Sequence, residues 1–364
     1  MPRRRNSRRL LALECPQDSL ATDFQGTMSQ VCLFCHARYF PKEKGSSRYT
    51  TCCYSGKVTL QSPVDPPQLS MDLYDGTSVY SRDFLSPICS YNSSLAFASM
   101  NCKLDHRLIG RFPYCFRIHG QVYYAVSSIH PPSHCRPTFC QLYIFDSERA
   151  NLERREQARM FNLDDQLLIS LHQTMVEHNP LAPMFYTMAQ VESFENQRAY
   201  YENIAPRKVF MHIRSDRVND RRRYNASIAN EIAAVFTSED GSPPSCLKYE
   251  TVIHPKPTIS STDTDLPSGL QFIQRTNPND PMIYPLLFPY AERGWSGDIL
   301  YTESGRAQAN VSPMKFYSYE LQVRDDHFSM LHRARKLFHQ YIVDAYTKVE
   351  GHRVHTKSTS CFEN

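Results

Sequence analysis

The chain reads as an α+β protein on three observations. Apolar residues alternate at Val122, Tyr124 and Val126 and again at Val209, Met211 and Ile213, the period of strands with one face on a core. Leu168, Leu171, Met175 and Val176 recur at helical spacing instead, as do Leu331, Phe338, Ile342, Ala345 and Val349, a stripe widened by Leu337 and Tyr341. The two kinds of segment follow one another without regular alternation, which argues against a repeated βαβ unit.

The 364 residues (42.2 kDa) leave room for two compact units. Hydrophobic residues at 41% and charged residues at 21% are ordinary for a folded chain, so wholesale disorder is not expected. A net charge of +4 is too small to imply a nucleic-acid partner by itself, and the distribution of charge matters more. No apolar run approaches the roughly 18–20 residues that span a bilayer, so no membrane partner is expected. Met1 to Arg9 is arginine-rich, and the apolar stretch Leu10–Leu13 after it is too short for a secretory signal. The expectation is an intracellular chain with reduced cysteines. The arginine-rich start reads as a nuclear-import or DNA-contacting arm, a mitochondrial presequence or a solvated tail; the first makes the nucleus the expected location.

Taken in order, residues 1–28 read as a flexible basic arm and 29–62 as a small cysteine-rich unit. Pro63-Val64-Asp65-Pro66-Pro67 would separate that unit from an α+β body over 68–253. In the body, Phe116 to Val126 alternates around His119-Gly120, which predicts a β-hairpin turning there. Gln141–Phe145 is a further strand candidate, and the charged run Ser147–Arg159 predicts an exposed helix. Asp164 or Asp165 would cap the next helix, and Asn179-Pro180 would stop it. Asn225 is expected to cap a helix carrying Ile228, Ile232, Val235 and Phe236. An irregular connection with short strand segments over 254–310, a helical segment over 311–355 and a tail over 356–364 complete the chain.

Cys32-x-x-Cys35 and the adjacent pair Cys52-Cys53 place four thiols within a short span. Soft thiolates in two clusters suit a structural zinc, because the loop between them can fold back to complete a tetrahedron. Adjacent cysteines point apart in an extended chain, so His36 is an alternative ligand to one of them; small buried cysteines without metal are the other reading. The known catalytic patterns are missing: there is no phosphate-binding loop, dinucleotide fingerprint, nucleophile elbow or zinc-protease helix. Arg214, Arg217, Arg221, Arg222 and Arg223 form the densest cationic run, with Tyr224 beside it. Guanidinium groups at this density could neutralise phosphates while Tyr224 stacks on an unpaired base; a solvated loop is the alternative.

Several strings carry a resemblance. They are Cys32-x-x-Cys35-His36-Ala37, Cys52-Cys53-x-x-Gly56-Lys57-Val58-x-Leu60, Ala96-Phe97-Ala98-Ser99-Met100, Phe116 to Tyr123, and Gln141 to Asp146. Further on come Arg223-Tyr224-Asn225-Ala226, Asp280-Pro281-x-x-Tyr284-Pro285-Leu286-Leu287-Phe288-Pro289, Gly294-Trp295, and Gln340 to Tyr346. In this order they resemble the N-terminal region of the replication and helicase proteins of Helitron transposons. The resemblance implies rolling-circle DNA transposition, with a nuclease and an ATP-driven helicase that follow the Asp344-Ala345-Tyr346 helix. None of the family's catalytic residues falls within the present chain. The expectation is therefore a truncated, non-catalytic, zinc-stabilised region that binds DNA, preferentially single strands. The alternative is an interaction module that docks onto the downstream nuclease and helicase or onto a host factor.

Overall fold

The computed structural model describes residues 26–44, 49–60, 64–104, 118–127, 130, 136–137, 139–145, 147–214, 233–238, 250–253, 270–273, 280–292, 294–297, 299–302 and 310–362. Strands β1 (Gln30–Val31) and β2 (Arg38–Tyr39) form a minimal antiparallel pair, followed by helices α1 (Gln68–Asp75), α2 (Ser81–Leu85) and α3 (Ile88–Leu95). Then come β3 (Ala98–Leu104), β4 (Ile118–Ser127), a 3-10 turn at Phe139–Tyr143, and helices α4 (Ser147–Phe161), α5 (Asp165–His178) and α6 (Leu181–Glu202). Strands β5 (Lys208–Arg214), β6 (Ala233–Ser238), β7 (Glu250–Ile253) and β8 (Leu270–Ile273) precede α7 (Asp280–Ile283), α8 (Pro313–Glu320), α9 (Met330–Arg333) and α10 (Lys336–Phe362). The class is α+β, as the periodicities imply.

The larger strands make two antiparallel sheets, ordered β3-β4-β8 and β6-β5-β7. Tyr124 lies opposite both Met100 and Ile273, and Met211 opposite both Val235 and Ile253, so β4 and β5 are the central strands. Val209 and Met211 face the core, as their alternation requires.

Local chemistry sets the helix ends. The Asp164 carboxylate accepts the Leu167 N–H at 2.7 Å and caps α5, whose Leu167, Leu168, Leu171 and Met175 are buried. Asn179-Pro180 ends it, and α6 begins immediately beyond. The Ser312 hydroxyl caps α8, with Pro313 in its first turn. The core runs from α1–α3 through α5 and α6 to α8–α10. At its centre Phe97 stacks between Tyr143 and Phe185, with ring centroids 4.4 and 5.6 Å away. Each such fully buried large side chain contributes about 1.5–3 kcal/mol.

Five expectations change. His119 and Gly120 lie inside the continuous strand β4 and do not form a hairpin turn; the partners of β4 are β3 and β8. Gln141–Phe145 is not a strand. The segment coils as a 3-10 turn that buries Cys140, Gln141, Leu142 and Tyr143 in succession, which a strand with alternating faces cannot do. Val235 and Phe236 belong to β6 rather than to a helix, paired with Met211 and Phe210; Asn225, Ile228 and Ile232 lie outside the described residues. The body does not close at residue 253, since β8 pairs with β4 and Met282 to Phe288 lie in the main core. The helical segment also continues past residue 355, to Phe362. Along α10 the buried stripe is Leu337, Tyr341, Ala345 and Val349, while Ile342 sits at the rim.

Candidate metal centre

Two knuckles bring the cysteines together. In the first, the Cys32 N–H donates to the Ala37 carbonyl at 2.9 Å and the His36 N–H donates back to the Cys32 carbonyl at 3.0 Å. The chain reverses through His36, at φ 55°. In the second, residues 51–57 form a continuous turn, and Tyr54, Ser55 and Gly56 have φ of 51°, 58° and 84°. The Gly56 N–H donates to Cys53 Sγ at 3.2 Å, and the Val58 N–H closes the turn on the Cys53 carbonyl at 3.0 Å. Here the backbone coils, so adjacent Cys52 and Cys53 no longer project to opposite faces and both sulfurs turn inward. At this φ a side chain is strained, and a β-carbon on Gly56 would lie 2.9 Å from the Phe34 ring and displace it.

The sulfurs of Cys32, Cys35, Cys52 and Cys53 all lie within 4.8 Å of one another. Cys32 and Cys53 are 3.8 Å apart and Cys52 and Cys53 3.7 Å, far beyond a disulfide bond. A tetrahedral ion with thiolates at about 2.3 Å would set its sulfurs about 3.8 Å apart, the spacing of the Cys32–Cys53 and Cys52–Cys53 pairs. The four cysteines could therefore hold a metal ion. Contact with Cys52 holds the Cys35 thiol well below its usual range, to about 4. Contact with Cys35 and burial push Cys52 upward, and burial pushes Cys53 up to about 12. A negative charge is thus favoured on Cys35 and resisted on Cys52 and Cys53, and a divalent cation bound there would favour deprotonation of its ligands. His36 is exposed and is not among the grouped ligands, so it does not replace a cysteine.

The proline-rich stretch does not leave this unit separate. Arg324 donates to the Cys35 carbonyl, the Arg38 N–H bonds the Val323 carbonyl at 2.8 Å, and the Arg38 side chain pairs with Asp325. The Tyr49 hydroxyl donates to Gln322 at 3.1 Å, and its ring stacks on Tyr39 with centroids 4.1 Å apart. Val58 enters the main core, and Tyr319 packs against the cysteines. The segment just beyond α8 is thus the seat of the cysteine unit. Single residues such as Arg324 and Gln322 carry no signal of this in the sequence, because the contacts are polar and span hundreds of positions.

Of the cationic run, Arg214 is the last residue of β5, in register with Glu250 of β7. Arg217, Arg221, Arg222, Arg223 and Tyr224 lie outside the described residues. No protein-family model and no curated protein matches the chain. Among the described residues, no helix is long and apolar enough to cross a membrane.

Proposed function

We propose that the chain is a zinc-stabilised, non-catalytic DNA-handling region of the kind it resembles, the N-terminal part of Helitron-type replication and helicase proteins. The observation that carries the reading is the cluster of four thiols within 4.8 Å of one another, seated on the segment that leads into α9 and α10. Closed four-cysteine sites favour zinc and leave no open position for a reacting water, so the metal's role is structural. DNA binding rests on the ordered resemblance and on the arginine run from Arg214 to Arg223 with Tyr224. Phosphate contacts by arginine give affinity with little sequence preference, and the location that goes with this role is the nucleus.

The test is titration of a labelled single-stranded oligonucleotide at several salt concentrations. The parent should bind with a steep salt dependence, and Arg221→Ala/Arg222→Ala/Arg223→Ala should weaken binding and flatten that dependence together. Parent-like binding by the triple variant at every salt would remove the arginine run from the interface. Affinity only for a partner polypeptide would favour the interaction-module reading. ATP turnover and DNA nicking with magnesium should stay at background, and activity that tracks the protein through purification would overturn the non-catalytic assignment.

A further inference from the structure

We propose that the outward face of the two cysteine knuckles, built on Phe34, Tyr54, Lys57 and Lys315, contacts single-stranded nucleic acid, with the lysines on phosphates and the rings against bases. The proposal rests on the nucleic-acid reading above and assigns it a surface that the arginine run does not include.

The knuckle geometry forces these side chains outward. Cys32 and Cys35 turn their sulfurs toward the cluster, which leaves the two residues between them at the tip: Leu33 is 91% exposed and Phe34 56%. In the second knuckle, Tyr54 and Ser55 occupy the left-handed region, which side-chain-bearing residues adopt only when held there. That conformation is held by the bonds from Gly56 and Val58 to Cys53 and keeps the Tyr54 ring at the surface, 6.0 Å from Tyr301. Phe34 lies over Gly56, so the tip of the first knuckle rests against the second.

Two cations converge on this face. Lys57 Nζ lies 5.2 Å and Lys315 Nζ 4.4 Å from the centroid of the Tyr54 ring, both within cation–π range. Neither ammonium pairs with a carboxylate among the described residues. Two like charges gathered at one ring from opposite ends of the chain raise the local potential, and an anion placed between them relieves it. An acidic peptide would answer the lysines through its carboxylates but would need separate apolar side chains to meet Phe34 and Leu33. A single strand offers both a phosphate for each lysine and a flat, unstacked base for an aromatic face, the combination such binders use.

The experiment titrates labelled oligothymidylate into the metal-loaded full chain across a range of salt. Lys57→Gln/Lys315→Gln should weaken binding about tenfold or more and lower the log–log salt slope by about 1.4, two contacts at roughly 0.7 each. Tyr54→Ala should weaken it about tenfold through loss of a stacking face, and Tyr54→Phe should retain parent affinity. Metal content reports the fold in each case; if Tyr54→Ala loses metal, the lysine pair decides, since those side chains lie outside the cluster. If the lysine variant binds like the parent while the triple arginine variant does not, the surface assignment fails and the DNA-binding reading stands. A parent that binds no oligonucleotide at any salt overturns both. Preferential capture by phosphatidylserine vesicles over oligothymidylate would make the face a lipid surface and overturn the proposal.

Discussion

Arg324 donates its Nε–H to the backbone carbonyl of Cys35 across 3.0 Å while its guanidinium lies 4.0 Å over the Tyr319 ring. One side chain thus ties a cysteine knuckle to the end of α8, and the carbonyl it holds belongs to a candidate metal ligand. A charge-assisted bond of this kind contributes about 1.5–3 kcal/mol. Arg324→Ala should therefore speed metal removal by a chelator and lower the melting temperature. Arg324→Lys should recover only part of the loss, because an ammonium cannot reproduce the planar stacking on Tyr319. Unchanged chelation kinetics in Arg324→Ala would show that the knuckle stands without this contact.

Lys348 of α10 pairs with Asp280 at the start of α7, with side chains 3% and 1% exposed, and the Tyr317 hydroxyl donates to the same carboxylate at 3.1 Å. Removing one partner strands a buried charge, so Lys348→Met should cost about 3–5 kcal/mol in urea unfolding. Adding Asp280→Asn to that variant should recover part of the loss, and a double variant no more stable than Lys348→Met would contradict the assignment. Gly294 belongs to the same site. A β-carbon there would lie 2.6 Å from Asp280 Oδ2, so Gly294→Ala should destabilise by displacing the carboxylate.

Glu320 gives a pH signature. Burial raises its carboxyl from the ordinary 4.5 to about 8, against the Tyr341 hydroxyl that donates to it; Asp280 and Glu292 push the same way, and Lys348 opposes them. Between these two values the folded chain keeps a proton that the unfolded chain has lost. Stability from this group is therefore full below about 4.5, falls as pH rises, and is gone above about 8. The slope is up to about 1.4 kcal/mol per pH unit. Glu320→Gln should flatten that fall. His172 contributes the opposite trend at lower pH. Burial, with Arg154 nearby, depresses it from 6.5 to about 3, so its stabilisation is present above 6.5 and is lost as pH falls. If the Glu320→Gln profile matches the parent from pH 5 to 8, Glu320 is not protonated in the folded chain.

The parts of this fold that could be read from the sequence are those fixed by neighbours in the chain. Asp164 caps α5 through a residue three positions on, and Val209 and Met211 alternate because a strand alternates. The cysteine cluster was visible for the same reason, since its two knuckles are local turns. The misread segments have their structure set from outside. Val235 and Phe236 fit a helical stripe as well as a strand, and their pairing with β5 decides between the two. Leu142 and Tyr143 fit a strand, but the core takes four consecutive side chains and requires a coil. The seating of the knuckles on residues 319–325 depends on single polar contacts such as Arg38 with Asp325, which no periodicity announces.

The most direct test of the proposed zinc centre is the metal content of the full chain purified under reducing conditions with zinc supplied, measured alongside Cys32→Ser and Cys53→Ser. The parent should carry about one zinc per chain, as a closed four-thiolate site requires. Each variant should lose it and melt at a lower temperature throughout, because Val58 and the Arg324 contact join the cysteine unit to the main core. A parent without bound metal, or a Cys32→Ser variant that retains a full equivalent of zinc, would contradict the centre described here.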